Sequence, residues 1–152
     1  MLTTTPYHIG ARYMGIVTER PGQTDHPAIQ FWLSLCNGNP DAPDEIPWCS
    51  AFAHFAAWQL NLPRSKSLAA RSWLKIGLPV DVRDAAVGFD VVILSRGSGP
   101  QPGPDVLAAP GHVGFYGGRT ADTITLLGGN QGNTVSLQWF PLERVLGVRR
   151  LR

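Results

Sequence analysis

Three residues far apart in the chain have the chemistry of a thiol nucleophile and its helpers. Cys49 lies where a proline-stiffened segment runs into an apolar stretch that predicts a helix. His112 lies in a later run that is typical of a strand, and Asn130 follows another such run in a polar turn. A cysteine, a histidine base and a carboxamide that orients the base form one kind of catalytic triad. These residue types, in this order, predict nucleophilic catalysis by sulfur.

The predicted place of Cys49, at the N-terminus of a helix, favours its thiolate form. The first turn of a helix presents unpaired N–H groups and the positive end of the backbone dipole. Both lower the pKa of a thiol, and an imidazolium partner lowers it further. A cysteine in an apolar setting is by itself more often inert packing. The functional interpretation therefore depends on Pro47 and Trp48, which shape the approach, and on a base elsewhere in the chain.

Glycines surround His112 and leave room for a close approach. Gly111 precedes it and Gly114 follows, and such small residues let another backbone or a substrate come near. Strand alternation places Tyr116 on the same face as the histidine. In the functional interpretation the amide oxygen of Asn130 accepts the far N–H of the ring and fixes its tautomer. In the structural one the histidine is packing and the asparagine is ordinary turn chemistry.

Two other uses of the cysteines compete with catalysis. A Cys36–Cys49 disulfide would consume the nucleophile, so we expect Cys36 to be a small buried residue instead. The two cysteines, His54 and His112 are suitable metal ligands, but no Cys-x-x-Cys or His-Glu-x-x-His spacing occurs. No phosphate-cradling or dinucleotide motif is present either. We therefore predict no metal and no cofactor.

The size and charge of the chain narrow the classes of function. With 152 residues, 43% of them apolar, it is long enough for one domain, whose core we place at about residues 7–150. A net charge of +2 gives little reason to expect nucleic-acid binding. The arginines near the C-terminus are typical of a solvated chain end, although they could weakly favour an anionic surface. Residues 1–6 do not resemble a signal peptide, and no segment approaches the ~20 apolar residues of a membrane span. We expect a monomer made in the cytoplasm.

The elements that must position these residues divide the chain into a helical first half and a β-rich second half. Helices are predicted at residues 7–19, about 25–36, 49–60 and 69–76. The third is apolar on almost every side, which places it inside the fold. Strands are predicted at residues 89–94, 112–116, 123–127, 135–140 and 145–149, and the loop at 96–110 is a candidate cleft wall. This order predicts an α+β fold with an antiparallel sheet packed on the central helix.

Four segments together resemble the CHAP and NlpC-like cysteine peptidases, in particular a phage-associated branch. They are residues 44–52 (DEIPWCSAF), 70–74 (ARSWL), 111–116 (GHVGFY) and 128–131 (GGNQ), within a match from about Tyr7 to the C-terminus. These papain-like enzymes cut peptidoglycan. The resemblance implies that Cys49 is the nucleophile, His112 the general base and then acid, and Asn130 the orienting residue. Many relatives have an acidic residue in the third position, where this chain has an amide.

The resemblance also implies a substrate and a setting. The substrate would be bacterial peptidoglycan, with Trp48, Asp44, Tyr116 and Gln131 as substrate-binding residues. No separate wall-binding domain is visible, so recognition would come from the cleft. A phage endolysin or virion-associated lysin would reach the wall through a holin or by delivery. Two alternatives stay open, namely an inactive wall-binding or structural virion module and an antibacterial amidase toxin with an immunity partner.

Overall fold

Three helices precede a six-stranded antiparallel sheet in the computed structural model, which describes residues 2–152. The helices are α1 (Pro6–Ala11), α2 (Pro27–Asn37) and α3 (Cys49–Trp58). The strands are β1 (Leu78–Val80), β2 (Asp90–Ser95), β3 (Gly111–Arg119), β4 (Thr123–Gly128), β5 (Ser136–Pro141) and β6 (Val145–Arg150). Their order across the sheet is β1-β6-β2-β3-β4-β5, and every neighbouring pair is antiparallel. This arrangement confirms the predicted α+β class.

The first helix is shorter than its apolar spacing predicts. α1 ends at Ala11, after which the N–H groups of Arg12 and Tyr13 bond carbonyls only three residues back. Gly15 then has a φ of 69°, which takes the chain out of the helical path. The prediction of a helix over residues 7–19 is therefore wrong beyond the second turn. The spacing arises instead from successive turns, which still bring Tyr13 edge-on against the ring of Trp32.

Most other elements agree with the sequence pattern, and two differ. The five predicted strands are present as β2 to β6, and β3 continues past its predicted end at Tyr116 to Arg119. The segment predicted as a fourth helix is a 3-10 helix, Ala70–Lys75. The short edge strand β1 has no counterpart in the predictions, because three residues are too few to show a period.

The second helix begins and ends as its sequence predicts. Pro27 occupies its first position, and the Nδ1 atom of His26 accepts a hydrogen bond from the Ala28 N–H at 3.1 Å. Gly38 ends the helix with a φ of 76°, and its N–H donates to the Ser34 carbonyl at 2.7 Å. α2 therefore has fixed ends and presents Trp32 to the interior.

The third helix lies between α2 and the sheet and is buried along nearly its whole length, from Cys49 to Ala57. The ring of Phe52 contacts Trp32 of α2 at 5.3 Å between centroids and Phe115 of β3 at 6.3 Å. The hydroxyl of Ser50, also buried, donates to the Ser67 carbonyl and accepts from the indole N–H of Trp73. The first turn of α3 is thus held by both apolar packing and satisfied hydrogen bonds, as a site built on a rigid element requires.

A second apolar cluster covers the opposite face of the sheet. Its buried members come from the five strands β2 to β6. They are Val92, Leu94, Tyr116, Ile124, Leu126, Phe140 and Val148. The central strand β2 is consequently buried at all six positions, which explains its continuous apolar run. Within residues 2–152, no helix combines the length and the hydropathy needed to cross a bilayer.

His54 is a titratable group enclosed by the apolar core that surrounds α3. It lies on α3, is 2% exposed, and its Nδ1 atom makes no hydrogen bond within residues 2–152. Burial lowers the pKa of His54 to about 4, and the charges of Arg64 and Lys66 act in the same direction. A histidine in the unfolded chain titrates near 6.5. Between these pH values the unfolded state binds more protons, so the free energy of unfolding decreases as the pH falls from 6.5 towards 4.

We expect His54→Leu to weaken the loss of stability between pH 7 and pH 5. Leucine occupies the same apolar site without a group that titrates there. The urea midpoint of unfolding at the two pH values measures the effect, with His8→Gln, a change at an exposed histidine, as the matched control. The control should lose as much stability as the wild type. An equal loss in His54→Leu would show that His54 contributes nothing to the pH dependence.

Candidate active site

Cys49 is the first residue of α3, and the N-terminus of that helix lies against the start of β3. The thiol is free, 3% exposed, and borders a cavity of about 390 Å³ whose walls include Pro47, Arg96 and Pro110. Burial raises the pKa of Cys49. The backbone N–H groups of Val113 and Ser50 oppose this rise, as does the charge of Arg96. The sequence predicts the opposite direction, because it reveals the helix terminus but not how completely the fold encloses it.

The imidazole of His112 has one defined partner, the side chain of Gln131. The distance from His112 Nε2 to Gln131 Oε1 is 2.9 Å, and both residues are buried. The amide nitrogen of Gln131 is in turn fixed, since it donates to the carbonyls of Leu126 at 3.2 Å and Ser136 at 2.8 Å. Because these carbonyls can only accept, the amide oxygen must be the atom that faces the ring.

This orientation of the amide determines the tautomer of His112. An amide oxygen only accepts, so the Nε2 atom of the ring carries the proton and donates it to Gln131. The Nδ1 atom is then unprotonated and has a free lone pair. Val113, the next residue, presents its N–H to the sulfur of Cys49, so the thiol lies against the backbone of the strand that carries His112.

The surroundings of His112 keep the ring neutral. Burial lowers the pKa of His112 to about 4, and the hydrogen bond that the ring donates to Gln131 partly opposes this shift. The charges of Arg96 and Arg144 lower it further. The ring of Phe140 lies 5.3 Å from that of His112. With a raised pKa on the thiol and a lowered one on the imidazole, both groups are neutral near pH 7.

Asn130 does not make the hydrogen bond that the sequence assigns to it. It has a φ of 57°, in the left-handed region that asparagine tolerates better than most residues. This turn of the backbone directs the next side chain, that of Gln131, towards His112. Asn130 is half-buried and borders the cavity beside the histidine. The sequence predicts Asn130 as the partner of His112, and the structure shows that the partner is Gln131. The amide oxygen of a glutamine is the same kind of acceptor as that of an asparagine.

The turn that carries Gln131 is joined to α3 by a contact at Gly129. A Cβ atom there would lie 2.6 Å from the Cβ of Phe52 and 2.7 Å from the ring of Trp48. No side chain fits at these distances, so the backbone of the turn packs directly on the Cβ atom of Phe52 and the ring of Trp48. This contact sets the position of Gln131 relative to the helix that begins with Cys49.

Arg71 connects the scaffold to the loop at residues 96–110. It is completely buried, and its Nε donates to the Pro110 carbonyl at 2.9 Å. Its Nη1 donates to the carbonyls of Pro102, Gly103 and Val106 at 2.8 to 3.1 Å. The loop that the sequence predicts as a cleft wall does border the cavity of Cys49, and a buried cation holds it in place.

The other residues predicted to bind substrate are in the interior. Trp48 is fully buried, and its indole N–H donates to Glu19 Oε2 at 3.0 Å. Tyr116 belongs to the apolar cluster on the far side of the sheet. Of the four predicted residues only Gln131 borders a cavity beside His112. These residues were predicted to bind substrate because they are aromatic or polar and lie close in sequence to Cys49, His112 or Asn130. Residue type and nearness in sequence do not reveal the direction of a side chain.

Asp44, the fourth of these residues, fixes the loop before α3. Its Oδ2 atom accepts the His26 N–H at 2.7 Å, and its own N–H donates to Asp25 Oδ1 at 3.2 Å. Burial raises the pKa of Asp44, the His26 N–H opposes the rise, and the charges of Asp25 and Glu45 add to it. Ligand atoms of these three acids lie within 4.8 Å of one another. In residues 2–152 the thiols and histidines weighed as metal ligands form no such group.

Two arginines enter the site that no sequence motif marks. Arg96 follows β2 and borders both the cavity of Cys49 and the cavity of His112. Arg144 precedes β6 and reaches the second of these cavities. Neither lies in a segment with a recognisable spacing, and only the pairing of β6 with β2 brings Arg144 close to the histidine. The sequence does not reveal the order of strands in the sheet, and without that order the two arginines could not be assigned to the site.

Comparisons with known proteins relate this chain to others through its fold. No protein-family model matches the sequence, and no curated protein matches it either. A solved structure, that of NlpC1 from Trichomonas vaginalis, is similar in fold, with a TM-score of 0.54 and 16% sequence identity. The similarity covers 96% of this chain and 42% of that one, so the chain spans less than half the length of its neighbour. The helices and the antiparallel sheet thus form an NlpC-type fold.

We expect Gln131→Leu to release the ring of His112 from its single tautomer, because leucine offers no acceptor to Nε2. The matched control is Asn130→Gly, which keeps the left-handed backbone and removes the neighbouring carboxamide. Two-dimensional ¹H–¹⁵N NMR of the imidazole nitrogens distinguishes the two tautomers. The control should resemble the wild type, with the proton on Nε2. A mixed tautomer in Asn130→Gly, together with an unchanged spectrum in Gln131→Leu, would return the orienting role to Asn130.

Proposed function

We propose that this chain is a single catalytic domain, a cysteine amidase or endopeptidase that hydrolyses an amide bond in the peptide of bacterial peptidoglycan. The observation that carries the proposal is the Gln131–His112 hydrogen bond, made from the strand whose Val113 N–H faces the sulfur of Cys49. It leaves the other ring nitrogen, Nδ1, unprotonated, as a base that accepts a thiol proton in papain-like catalysis must be. The NlpC-type fold and the four motif segments supply the class of substrate.

The proposed reaction begins from a neutral pair. As the sulfur of Cys49 attacks the carbonyl carbon of the amide, Nδ1 of His112 accepts the thiol proton, and a tetrahedral intermediate forms. The imidazolium that results keeps its Nε2 hydrogen bond to Gln131, which stabilises it. The N–H of Cys49 has no acceptor within its own helix, because it belongs to the first turn, and it can donate to the oxyanion.

The second half of the reaction returns the proton. His112 donates it from Nδ1 to the leaving nitrogen, the C–N bond breaks, and an amine and a thioester on Cys49 result. A water molecule then loses a proton to the same nitrogen and attacks the thioester. The C–S bond breaks, the thiolate regains the proton, and a carboxylic acid is released. Gln131 changes neither charge nor protonation in any step.

A binding module without turnover is the second candidate, and the burial of Cys49 favours it. A thiol that is 3% exposed and has a raised pKa reacts slowly unless a substrate enters beside it. Such a protein would bind wall peptide in the same cleft and leave it intact. The test of Cys49 below separates the two candidates, since only an enzyme loses turnover when the sulfur is removed.

We extend the proposal to the setting in which the enzyme acts, namely as a phage endolysin or virion-associated lysin at the bacterial wall. The support is the resemblance of the four motif segments to the phage-associated branch, and the same chemistry suits an antibacterial toxin with an immunity partner. A monomer made in the cytoplasm and released through a holin would suit the first role. Lysis of cells when the chain is expressed alone, compared with lysis when it is co-expressed with a holin, distinguishes release from autonomous entry.

We expect Cys49→Ala to lower the release of amines from purified cell walls by about 10³-fold or more, because the attacking sulfur is absent. The matched control is Cys36→Ala, which removes a second buried free thiol whose pKa burial raises to about 11. The control should retain turnover, and circular dichroism should show both variants folded. Mass spectrometry of the digested muropeptides identifies the bond that is cut. Undiminished turnover by Cys49→Ala would falsify the proposed mechanism.

We expect kcat/KM to persist at pH 5 and to fall with a midpoint near the lowered pKa of His112, which is about 4. The base must be unprotonated to accept the thiol proton, and an unperturbed histidine would already be largely protonated at that pH. A pH profile between 3.5 and 8 measures this, with circular dichroism at each point to separate inactivation from unfolding. A midpoint near 6.5 with the fold intact would show that the base titrates as an exposed histidine does.

A further inference from the structure

The charged side chains that border the cavity beside His112 are all positive. It has a volume of about 440 Å³ and is bordered by the side chains of Arg96 and Arg144 and by carboxamides that include those of Asn130 and Gln138. None of the residues that border it is an aspartate or a glutamate. A cleft lined by cations and by hydrogen-bond donors, without an internal anion, attracts a negatively charged group.

Arg144 is held in place without an acidic partner. Its Nε and Nη2 atoms donate to the Ser95 carbonyl at 3.0 and 2.7 Å, and its guanidinium lies 5.3 Å from the centroid of the Phe140 ring. These contacts are neutral, so they orient the cation and leave its charge uncompensated. Its Nη1 atom makes no hydrogen bond within the described part of the chain. That face of the guanidinium is the one left for a ligand.

Arg96 is common to the two cavities of the site. It borders the cavity of Cys49 on one side and that of His112 on the other, and its side chain is exposed. Over residues 2–152 the ion pairs join Arg83 with Asp81 and Arg150 with Asp90, and neither arginine of the cavity takes part in one. A group bound in either cavity therefore lies beside this cation.

We propose that the cavity formed by Arg96, Arg144 and the neighbouring carboxamides is a subsite for a carboxylate that the substrate peptide carries beside the scissile amide. This proposal rests on the proposed function, which makes the substrate a peptide. Guanidinium groups bind carboxylates through paired, charge-assisted hydrogen bonds. A carboxylate is free beside an amide wherever an acidic residue is linked through its side chain or ends the chain. The site would therefore select acidic peptides over their amidated counterparts.

The electrostatics of the base support the same assignment. The charges of both arginines lower the pKa of His112, so in the free protein they oppose the imidazolium that forms during the reaction. A bound carboxylate would compensate these charges and remove that opposition. The correct substrate would thus both fill the cavity and make the histidine a stronger base.

The test uses two peptides that differ only in a carboxylate or a carboxamide beside the scissile bond. We expect the wild type to favour the carboxylate peptide by about tenfold or more in kcat/KM, as charge-assisted hydrogen bonds imply. Arg96→Gln and Arg144→Gln should reduce this ratio towards one. Arg96 makes no hydrogen bond within residues 2–152, so its replacement leaves the fold undisturbed. The matched control is Arg12→Gln, an exposed arginine outside the site, which should keep both the activity and the ratio.

A binding measurement separates this proposal from the proposed function. The Cys49→Ala protein is titrated with each peptide at low and high salt, and NMR follows the His112 ring. We expect tighter, salt-sensitive binding of the carboxylate peptide and a higher pKa of His112 when it is bound. If the wild type cleaves neither peptide but this selectivity is present, the proposed function fails and the subsite stands. Equal cleavage and equal binding of both peptides would overturn the subsite alone. Tighter binding of inorganic phosphate than of the carboxylate peptide would also overturn the assignment.

Discussion

The structure depends on a contact that leaves no space for a side chain, between Gly129 in the turn after β4 and the first turn of α3. The distances from a Cβ atom at Gly129 to Phe52 and Trp48 are far below van der Waals contact. The contact with Phe52 is stiff, because glycine has no rotamer and the backbone of the helix fixes the Cβ atom of Phe52. The helix that begins with Cys49 and the turn that carries Gln131 therefore have one relative position. The orientation of His112, which Gln131 fixes, follows from that position.

Enclosure by the fold has a consequence for the chemistry of the site. A helix N-terminus alone would favour a thiolate, yet burial dominates and raises the pKa of Cys49 while it lowers that of His112. The resting site is consequently neutral, so in the proposed mechanism the proton moves during the attack rather than before it. In that mechanism charge develops only when a substrate is present, and Gln131 and the backbone N–H groups are already oriented to stabilise it.

The sequence was sufficient for the parts of the site that depend on local pattern. The apolar composition of α3 predicts a buried helix with Cys49 at its start, and alternation predicts the strand of His112. The sequence was not sufficient where the direction of a side chain determines which residue reaches the site. Because the backbone of Asn130 is left-handed, Gln131 and not Asn130 accepts the hydrogen bond from His112. Nothing in the order of residues indicates this. Arg144 reaches the site only because β6 pairs with β2, a non-local property.

The burial of Cys49 also limits how a substrate can reach it. The loop at residues 96–110 covers one side of the sulfur, and Arg71 binds four of its carbonyl groups from the interior. Moving this loop would leave a buried guanidinium without acceptors, which costs more than breaking surface contacts. The loop is therefore a fixed wall, and the thiol is open only to the cavity that this loop borders.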